Sequence, residues 1–364
     1  MLMSESARMS DQLRTDAPLL SFCIPTYNRV GALLPLVRRI LQSPSREFEV
    51  VVSDNLSSDD TVAQLQAIDD TRLVILENEV NRGALFNQVN VLVQGRATYS
   101  ALLLDKDSVD PILIQPFLEF LLRAAPITGY CEYHKAVGTQ AQYFQRGYDS
   151  LHGMAYSCHH PSGYFFRKAE LREIRIVERF SDHGVVGNFP FEFIQAELAL
   201  SGPAAIFQEP LFIPEKPEAA RANRSFTISG AADEAFFQPK GRLNTAVRFS
   251  LHILGLPLAI NHKRQLVLDR FVQGLSLAAV SYKAIMANDA ICEHYHISTR
   301  RIGRLEQLLI VVDFYYSFTH RLKAAPHELG LPTSYAFILD IVRRMLRRIS
   351  RRLRLKKDAK VQAL

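Results

Sequence analysis

The chain has 364 residues, 48% of them hydrophobic and 22% charged, which are the proportions of a globular protein with a sizeable core. Its four cysteines include no C-x-x-C pair, which argues against a disulfide framework and a zinc site and favours the reducing cytosol. No apolar run reaches the roughly 20 residues of a membrane-spanning helix, and the polar N-terminus lacks the apolar stretch of a signal peptide. The net charge of +6 is unevenly distributed along the chain.

Strands and helices alternate through the first third of the chain. Short apolar runs predict strands at Leu19–Ile24, Phe48–Ser53, Leu73–Leu76 and Tyr99–Leu104, and apolar residues at helical spacing predict a helix after each. Short connections between such elements predict an α/β fold with a mostly parallel sheet flanked by helices. In a sheet of this kind, ligands bind beyond the carboxyl ends of the strands.

Polar turns follow all four predicted strands: Thr26–Arg29, Asp54–Asn55, Asn81–Gly83 and Asp105–Asp107. Because the carboxyl ends of parallel strands meet at one edge, we expect these turns to converge on one crevice. Asp105 and Asp107 follow a buried strand, and a pair of carboxylates suits a divalent cation together with the phosphates that it carries. The alternative is that Asp54 and Asp107 cap the helices that follow them.

The pattern is weaker from Thr128 to Ile213. Ala141–Phe144 and Gly163–Phe166 resemble strands, Asp182–Gly184 resembles a loop, and Glu192–Leu200 resembles a helix. A polar stretch from Pro214 to Gly230 indicates a domain joint or surface loop, after which helical spacing prevails in Leu243–Leu254, Gln265–Ala287 and Ile302–Leu322. The predicted division is a flexible N-terminus at 1–17, an α/β domain at 18–215, a helical region at 216–333 and a basic amphipathic helix at 334–364.

The C-terminal segment carries most of the positive charge. Ten Lys or Arg residues and a single acid, Asp358, lie between Arg343 and Lys360, so the rest of the chain is slightly acidic. Within Ser334–Leu355, one helical face is apolar, formed by Ile338, Val342, Met345, Leu346, Ile349 and Leu353, and the other is rich in arginine. Such a helix is typical of binding to an anionic membrane surface, with packing on the protein itself as the alternative. We expect no nucleic-acid binding, because the body is not basic and carries no recognition module.

Four motifs in order resemble the opening of glycosyltransferase family 2: Ser21–Arg29; Val51–Asn55 with Ser57 and Asp60–Thr61; Asn81–Gly83 with Asn87; and Leu103–Asp107 with Pro111. The resemblance covers about residues 18–125, weakens towards Phe212 and is absent after it. Within the family the chain is most similar to bacterial transferases of O-antigen and capsule assembly, including the abequosyltransferase-like group. The resemblance implies the GT-A fold and transfer of a sugar from a nucleotide diphosphate to an acceptor hydroxyl with inversion at the anomeric carbon.

The resemblance also implies roles for the polar turns. Asp54 would accept a hydrogen bond from the nucleotide base, and Arg82 would contact phosphate. The residues expected at the nucleotide are Pro25, Thr26, Asn28, Arg29, Asp54, Arg82 and Asp105. Asp107, and with it Asp105, would hold Mg²⁺ or Mn²⁺ against the diphosphate leaving group. Lys106 departs from the family pattern, in which an acid is usual, and this departure leaves open whether the site needs a metal.

Inversion needs a base that takes the proton of the acceptor hydroxyl. The family often supplies it from a Glu-Asp pair near a helix start, but this chain has no such pair. Glu192 is the candidate at the corresponding position, with Asp182 as the main rival and Glu197 as a further one. His159–His160 and Ser162–Tyr164 are candidates to line the sugar sites, and His183 is a weaker candidate for a metal ligand.

A saccharide on polyprenyl diphosphate is the expected acceptor, because it would explain a cytoplasmic body with a membrane-seeking tail at the inner face of the membrane. A nucleotidyltransferase and a non-catalytic membrane-associated scaffold are the alternatives, and Lys106 and the missing Glu-Asp pair motivate the second. No G-x-G-x-x-G follows the first strand and no G-x-x-x-x-G-K-[ST] occurs, which argues against a dehydrogenase and a P-loop enzyme.

Overall fold

The computed structural model describes residues 17–132, 141–154, 160–187, 189–214, 237–294 and 297–322. The predicted amphipathic helix, His159 and most of the predicted domain joint lie outside the described residues. The chain divides into two compact units, Met1–Arg224 and Ser225–Leu364.

The first unit is organised around one sheet. Its described residues contain ten strands: β1 (Leu20–Thr26), β2 (Phe48–Asp54), β3 (Leu73–Glu77), β4 (Tyr99–Leu102), β5 (Ser108–Val109), β6 (Thr128–Cys131), β7 (Gln142–Phe144), β8 (Tyr164–Arg167), β9 (Ala204–Phe207) and β10 (Phe212–Ile213). Eight of them form a sheet in the order β3-β2-β1-β4-β8-β6-β9-β7, and β5 pairs with β10. The pairs among β3, β2, β1 and β4 are parallel, as is β6 with β9. β8 runs antiparallel to both β4 and β6, and β7 runs antiparallel to β9. The predicted mostly parallel α/β sheet is therefore confirmed.

Helices connect the strands and cover the sheet. In the described part of the first unit they are α1 (Val30–Leu41), α2 (Thr61–Gln66), α3 (Ala84–Val91), α4 (Ile114–Ala124), α5 (Tyr148–Met154), α6 (Lys168–Glu173), α7 (Ile176–Phe180), α8 (His183–Val186) and α9 (Pro190–Ser201). A 3₁₀ turn at Pro111–Leu113 leads into α4, and the side chain of Asp110 caps it by accepting from the Ile112 N–H. The capping role considered for Asp107 therefore belongs to Asp110 in this structure.

The fourth strand ends two residues earlier than the sequence predicts. The Leu103 N–H still donates to the Cys23 carbonyl, at 3.0 Å, but the next N–H, that of Leu104, donates to the Ser162 hydroxyl at 2.9 Å. A side chain from the segment before β8 thus takes the donor that would have continued the ladder. The chain then turns, and the Asp107 N–H donates to the Leu104 carbonyl.

Several short elements were absent from the sequence prediction, namely strands β5, β6, β9 and β10 and helices α5 to α8. β6 and β9 are four residues each and pair with each other, so the evidence for either strand lies in a partner distant in sequence. The segment Asp182–Gly184, predicted as a loop, instead begins α8, with Asp182 as its N-cap. The predicted strand and helix on either side, at β8 and α9, are present.

The hydrophobic core of the first unit lies between the sheet and its helices. Aromatic rings meet across the layers: Phe117 of α4 contacts Phe165 of β8 at 5.3 Å and Phe207 of β9 at 5.1 Å between ring centroids. All three rings are buried. This packing holds β8 in place, and the segment just before β8 carries the site residues His160 and Ser162, described below.

The described part of the second unit is helical. It contains α10 (Pro239–Gly255), α11 (Ile260–Ser276), a π-helical turn at Leu277–Ser281, α12 (Tyr282–Met286), α13 (Asp289–His294) and α14 (Arg304–Arg321). Phe271 of α11 packs against Phe314 and Phe318 of α14, with ring centroids 5.7 and 5.0 Å apart. The predicted helical C-terminal region is confirmed. Among the described helices, none is both long and apolar enough to cross a membrane.

Candidate functional site

The polar turns after β1, β2 and β4 lie next to one another at one edge of the sheet. β1 pairs with β2 through Thr26 and Asp54, and with β4 through Cys23 and Leu102. The Asn55 N–H donates to the Thr26 carbonyl at 3.0 Å. The parallel register therefore places the first, second and fourth turns at the same edge, as the sequence predicts.

The turn after β1 is joined to the turn after β2 by short polar side chains. Asn28 has φ +52°, a left-handed conformation that asparagine tolerates better than most residues. Its N–H donates to the Ser57 hydroxyl at 2.8 Å, and its side-chain oxygen accepts from the Ser58 N–H at 2.7 Å. These contacts hold the two turns in one arrangement and leave the neighbouring Tyr27 exposed.

Asp54 is a buried acid with one carboxylate oxygen that is unsatisfied in the described structure. Oδ2 accepts from the Ser57 N–H at 2.8 Å, a bond within the turn, whereas the N-cap position of the following helix, α2, is occupied by Asp60 and not by Asp54. Oδ1 is buried and has no hydrogen-bond partner among the described residues. An unsatisfied buried oxygen is costly, typically by about 1–3 kcal/mol, and such an oxygen calls for an explanation.

The third turn joins the second through a set of side-chain amides. The Asn55 oxygen accepts from the Asn78 amide and from the Arg82 N–H, both at 3.2 Å, and its own amide donates to the Asn81 oxygen at 2.7 Å. The Arg82 guanidinium lies 3.5 Å from the centroid of the Phe86 ring, over its face. Arg82 is therefore held at the site edge by a cation–π contact.

Asn87 secures the same turn from below. Its amide donates to the Ser53 carbonyl at 2.8 Å, and its oxygen accepts from the Ser53 hydroxyl at 2.6 Å and from Asn78 at 3.1 Å. The sequence singled out Asn55 and Asn87 as motif members, but the role of Asn78 was missed. The signal in the sequence was an asparagine two residues after the predicted strand Leu73–Leu76.

Asp105 is buried against a cation and a hydroxyl. Its Oδ1 lies 3.0 Å from Arg29 Nη1, and its Oδ2 accepts from the Thr26 hydroxyl at 3.0 Å. Burial raises the pKa of Asp105, while the Arg29 charge and the hydrogen bond from Thr26 act against the rise. The structure thus brings together three predicted site residues, with both oxygens of Asp105 engaged.

Asp107 is buried beside Ser162 and His160, which lie just before β8. The Ser162 hydroxyl donates to Asp107 Oδ2 and accepts from the Leu104 N–H, while His160 Nδ1 lies 3.5 Å from the same oxygen. Burial lowers the pKa of His160, the Asp107 carboxylate opposes this, and the Lys106 cation adds to it. The predicted site segment at 160–164 is therefore in direct contact with Asp107.

Lys106 is electrostatically part of the same site. Its positive charge lowers the pKa of His160 on one side and acts in the same direction on Asp105 on the other. The residue that departs from the family pattern thus places a cation close to Asp105 and His160.

The candidates for the base differ in environment. Glu192 is half-buried in the first turn of α9, and the preceding Phe191 packs on Tyr164 of β8 at 5.6 Å between ring centroids. Asp182 is exposed and caps α8 by accepting from the Gly184 N–H at 2.7 Å. Glu197 is paired with Arg179 through both oxygens. Of the three acids, Glu192 has a neighbour that touches the strand following Ser162.

His183, the weaker candidate for a metal ligand, is exposed. Its Nδ1 lies 3.1 Å from the Gly187 carbonyl, within the segment that α8 and its end form. No group of three or more His, Cys, Asp or Glu that could hold a metal occurs among the residues that the structure describes.

Part of the first unit is similar in sequence to known proteins. Residues 21–174 match the family described as Glycosyl transferase family 2. Over 95 residues the chain is 34% identical to the GalNAc(5)-diNAcBac-PP-undecaprenol beta-1,3-glucosyltransferase of Campylobacter jejuni, a match that covers 25% of this chain and 31% of that protein. Over 107 residues it is 30% identical to the putative colanic acid biosynthesis glycosyl transferase WcaA of Escherichia coli, covering 28% and 37%. The matched region spans about a third of these curated relatives.

Solved structures extend the likeness in fold. The crystal structure of S. aureus TarS 1-349 in complex with UDP-GlcNAc superposes with a TM-score of 0.56 at 14% identity, over 85% of this chain and 82% of that one. The complex of the same protein with UDP gives a TM-score of 0.52 at 13% identity, over 82% and 90%. At this identity the likeness concerns the fold alone. Residues 21–174 are therefore similar to Glycosyl transferase family 2, and the sheet of the first unit is GT-A-like.

Proposed function

We propose that the chain is an inverting glycosyltransferase that moves a sugar from a nucleotide diphosphate to a hydroxyl of a saccharide acceptor. The observation that carries this proposal is the buried, unsatisfied Oδ1 of Asp54 on the same strand edge as the Asp105–Asp107 turn. A nucleotide-sugar substrate requires a hydrogen-bond acceptor for its base and an acidic turn near its diphosphate. The family match over residues 21–174 supports the same activity.

In this proposal the nucleotide lies across the turns after β1 and β2. Asp54 accepts from a ring N–H or amine of the base, and Thr26, Asn28 and Arg29 line the base and ribose beside Pro25. Arg29 reaches from this side to Asp105, at 3.0 Å, so that its charge is already held in the crevice. Arg82, now over Phe86, supplies a second cation for phosphate.

The acids fit a divalent cation that is shared with the donor. Mg²⁺ is usually bound by one or two carboxylates plus substrate phosphates, so a dedicated cluster of three protein ligands is not required. We assign Asp107 as the principal ligand and Asp105 as the secondary one. Both oxygens of Asp105 carry contacts from Thr26 and Arg29, and Oδ2 of Asp107 carries one from Ser162. When bound, Mg²⁺ or Mn²⁺ would neutralise the charge that develops on the leaving diphosphate.

Glu192 is the proposed base. Its position in the first turn of α9, next to the Phe191–Tyr164 contact, supports this assignment. There it takes the proton from the acceptor hydroxyl as that oxygen attacks the anomeric carbon opposite the leaving group. Asp182 remains the rival candidate.

The acceptor is proposed to be a saccharide on polyprenyl diphosphate, in bacterial surface polysaccharide synthesis of the O-antigen or capsule type. The names of the two relatives, one with a PP-undecaprenol acceptor and one in colanic acid biosynthesis, support this. The basic segment Arg343–Lys360 supports a peripheral location at the cytoplasmic face of an anionic membrane. The abequosyltransferase-like subgroup stays a proposal based on the sequence resemblance.

A donor screen tests the proposal. Purified protein is incubated with UDP-, GDP-, CDP- and dTDP-sugars, with and without Mn²⁺, and read by thermal shift and by release of nucleotide. We expect one base to raise the unfolding temperature and one donor to be turned over. Absence of binding and turnover for every donor would contradict the proposal.

Two variants separate the enzyme from its alternatives. Asp107→Ala and Glu192→Ala are each expected to lower kcat by about 100-fold or more, since each removes a group that acts in the transition state. Asp313→Asn, an exposed site on α14, is the matched control and should keep full activity. A scaffold would lose nothing in any variant, and a nucleotidyltransferase would release diphosphate from a nucleoside triphosphate instead.

A further inference from the structure

Leu56 lies in the turn after β2, in a backbone conformation that its side chain disfavours. Its φ is +66°, in the left-handed region, where the Cβ of an L-residue crowds the backbone. Glycine avoids this cost, and asparagine, as at Asn28, tolerates it better than most residues do. A leucine is therefore an unfavourable residue at this position unless its side chain makes a contact that compensates for the strain.

Burial in the hydrophobic core does not supply that compensation. The side chain of Leu56 is 52% exposed, whereas Val52 of β2 and Leu65 of α2, the core residues on either side of it in the chain, are buried. An exposed leucine alone would need no explanation, because folded proteins expose many apolar atoms. A leucine that is both exposed and strained does need one.

The other non-glycine residues with positive φ in the described part of the chain have local explanations. They are Asn28, Ala125 and Arg175. Ala125 is the C-cap of α4, where a left-handed residue commonly ends a helix, and Arg175 is the N-cap of α7. Leu56 is at neither end of a helix, because α2 begins only at Thr61. Its conformation therefore belongs to the turn itself.

The turn that carries Leu56 also carries the unsatisfied acid. Leu56 is two residues after Asp54, whose buried Oδ1 has no hydrogen-bond partner among the described residues. Asp54 Oδ2 accepts from the Ser57 N–H, and the Ser57 hydroxyl accepts from the Asn28 N–H, both at 2.8 Å. These bonds hold the backbone around Leu56, while its side chain stays exposed. The turn thus presents a hydrogen-bond acceptor and an apolar side chain close together, which suits a nucleobase, since a base has a polar edge and an apolar face.

We propose that Leu56 packs against a face of the nucleobase of the donor while Asp54 binds its edge. This assignment rests on the nucleotide site proposed above and adds an apolar contact to it. Binding of the nucleotide removes the exposed part of the side chain from water, and this burial compensates for the strain of the turn. Leu56 therefore increases the affinity for the nucleotide and does not stabilise the free chain.

Leu56→Gly tests the proposal, because it should change stability and affinity in opposite directions. Glycine relieves the strain, so the free protein should unfold at a urea concentration equal to or higher than that of the wild type. The apolar contact is lost, so the Kd of the nucleotide should rise about tenfold. The heat capacity change of binding should also become less negative, because less apolar surface is buried.

Calorimetric titration with UDP, GDP, CDP and dTDP in the presence of Mn²⁺ measures the affinity, and the variants are compared with the nucleotide that the wild type binds. An unchanged Kd in Leu56→Gly would overturn the proposal. A lower urea midpoint in Leu56→Gly would also overturn it, because the side chain would then stabilise the free fold.

Three further variants separate the contact from the effect of glycine on the backbone. Ala125→Gly, at the other left-handed position that lacks a long side chain, is the matched control and should bind the nucleotide as the wild type does. Leu56→Asn tolerates the left-handed conformation without the freedom of glycine, and it should lose as much affinity as Leu56→Gly. Leu56→Met keeps an apolar side chain and should bind within about twofold of the wild type. Wild-type affinity in Leu56→Asn, or a tenfold loss in Ala125→Gly, would overturn the proposal.

The same titrations distinguish a failure of this inference from a failure of the proposed function. A wild type that binds none of the nucleoside diphosphates contradicts the nucleotide site itself, and the role of Leu56 with it. If the wild type binds one of them and both Leu56→Gly and Leu56→Asn retain its affinity, only the role of Leu56 is contradicted.

Discussion

The hydroxyl of Ser162 donates a hydrogen bond to the carboxylate of Asp107, which lies 55 residues earlier in the chain. The same hydroxyl accepts from the Leu104 N–H, two residues after the end of β4. Ser162 therefore fixes both the backbone that leads into the acidic turn and the orientation of the acid itself. A residue that orients a metal ligand is often nearly as important for affinity as the ligand.

Replacing Ser162 should weaken binding of the metal ion that we propose at Asp107. Ser162→Ala removes the contact to Asp107 and leaves the Leu104 N–H without its partner, so we expect the Mn²⁺ concentration for half-maximal activity to rise about 10- to 100-fold. Ser162→Thr keeps the hydroxyl and is the control. A metal titration of donor turnover measures both, and an unchanged midpoint in Ser162→Ala would show that Asp107 is oriented by other contacts.

Asp54→Asn should impair binding of the nucleotide more than folding. The substitution keeps the size of the side chain and an oxygen for the Ser57 N–H. It replaces the buried Oδ1 by an NH₂ group, which would face the N–H or amine of the base. We expect the affinity for the nucleotide to fall about 100-fold, because two hydrogen-bond donors would then face each other where the wild type offers an acceptor. Calorimetric titration with the preferred nucleotide measures this. Asp59→Asn, on the neighbouring turn, is the control, and equal losses in the two variants would contradict the assignment.

Alkaline pH should destabilise the first unit through Cys23. Burial raises the pKa of the Cys23 thiol from 9.0 to about 11, with the Lys168 charge acting against the rise. The folded chain therefore keeps a proton that the unfolded chain releases above pH 9, so this stabilisation is complete below pH 9 and is lost as the pH approaches 11. The loss amounts to about 3 kcal/mol for two pKa units.

Urea unfolding at pH 8, 9 and 10.5 measures this effect. Cys23→Ala has a lower stability throughout, because it leaves a small cavity, but its stability should fall less steeply over this pH range than that of the wild type. Parallel slopes in the two proteins would show that other groups dominate the alkaline response.

Two glycines should respond oppositely to replacement by alanine. Gly95 has φ +72°, and a Cβ there would lie 2.5 Å from Glu49 Oε1, an atom that also accepts from the Arg96 and Ala97 N–H groups and from the Ser21 hydroxyl. Gly95→Ala combines backbone strain with disruption of this buried set of bonds, so we expect a loss of about 2–4 kcal/mol.

Gly31→Ala is the matched control. Gly31 lies in the first turn of α1, and a Cβ there meets nothing within 4 Å. Because alanine has the higher helix propensity, we expect no loss of stability and a gain of up to about 1 kcal/mol. Denaturant midpoints of both variants test the pair, and a Gly95→Ala protein as stable as the wild type would contradict the tight packing at Glu49.

The sequence predicted the part of the site that depends on local order. Asp54, Asp105 and Asp107 follow apolar strands, and parallel strands bring their carboxyl ends together, so the edge of the sheet followed from the pattern alone. The contact of Ser162 with Asp107 did not follow, because it depends on β8 running antiparallel beside β4, and nothing local to either segment specifies that pairing. The same reason explains why β6 and β9, each four residues long, escaped prediction.

The environment of Asp105 also lay beyond the sequence pattern. An acid at the end of a strand predicts a metal ligand, but in the structure Arg29 and Thr26 contact the two oxygens of Asp105. The path of the β1–α1 turn brings the Arg29 cation to Asp105 and not to Asp107. The residue types alone do not specify that path. Lys106 likewise read as an isolated departure, whereas its charge acts on both His160 and Asp105.

Strand β8 sets a fixed distance between the contacts at its two ends. Ser162 lies just before its start, beside Asp107, and Lys168 lies just after its end, where its ammonium donates to the Ser21 hydroxyl at 3.0 Å. Insertion or deletion of one residue between them would shift one end by about 3.3 Å and turn the side chains to the other face. The number of residues from Ser162 to Lys168 therefore cannot vary freely, although neither residue contacts the other.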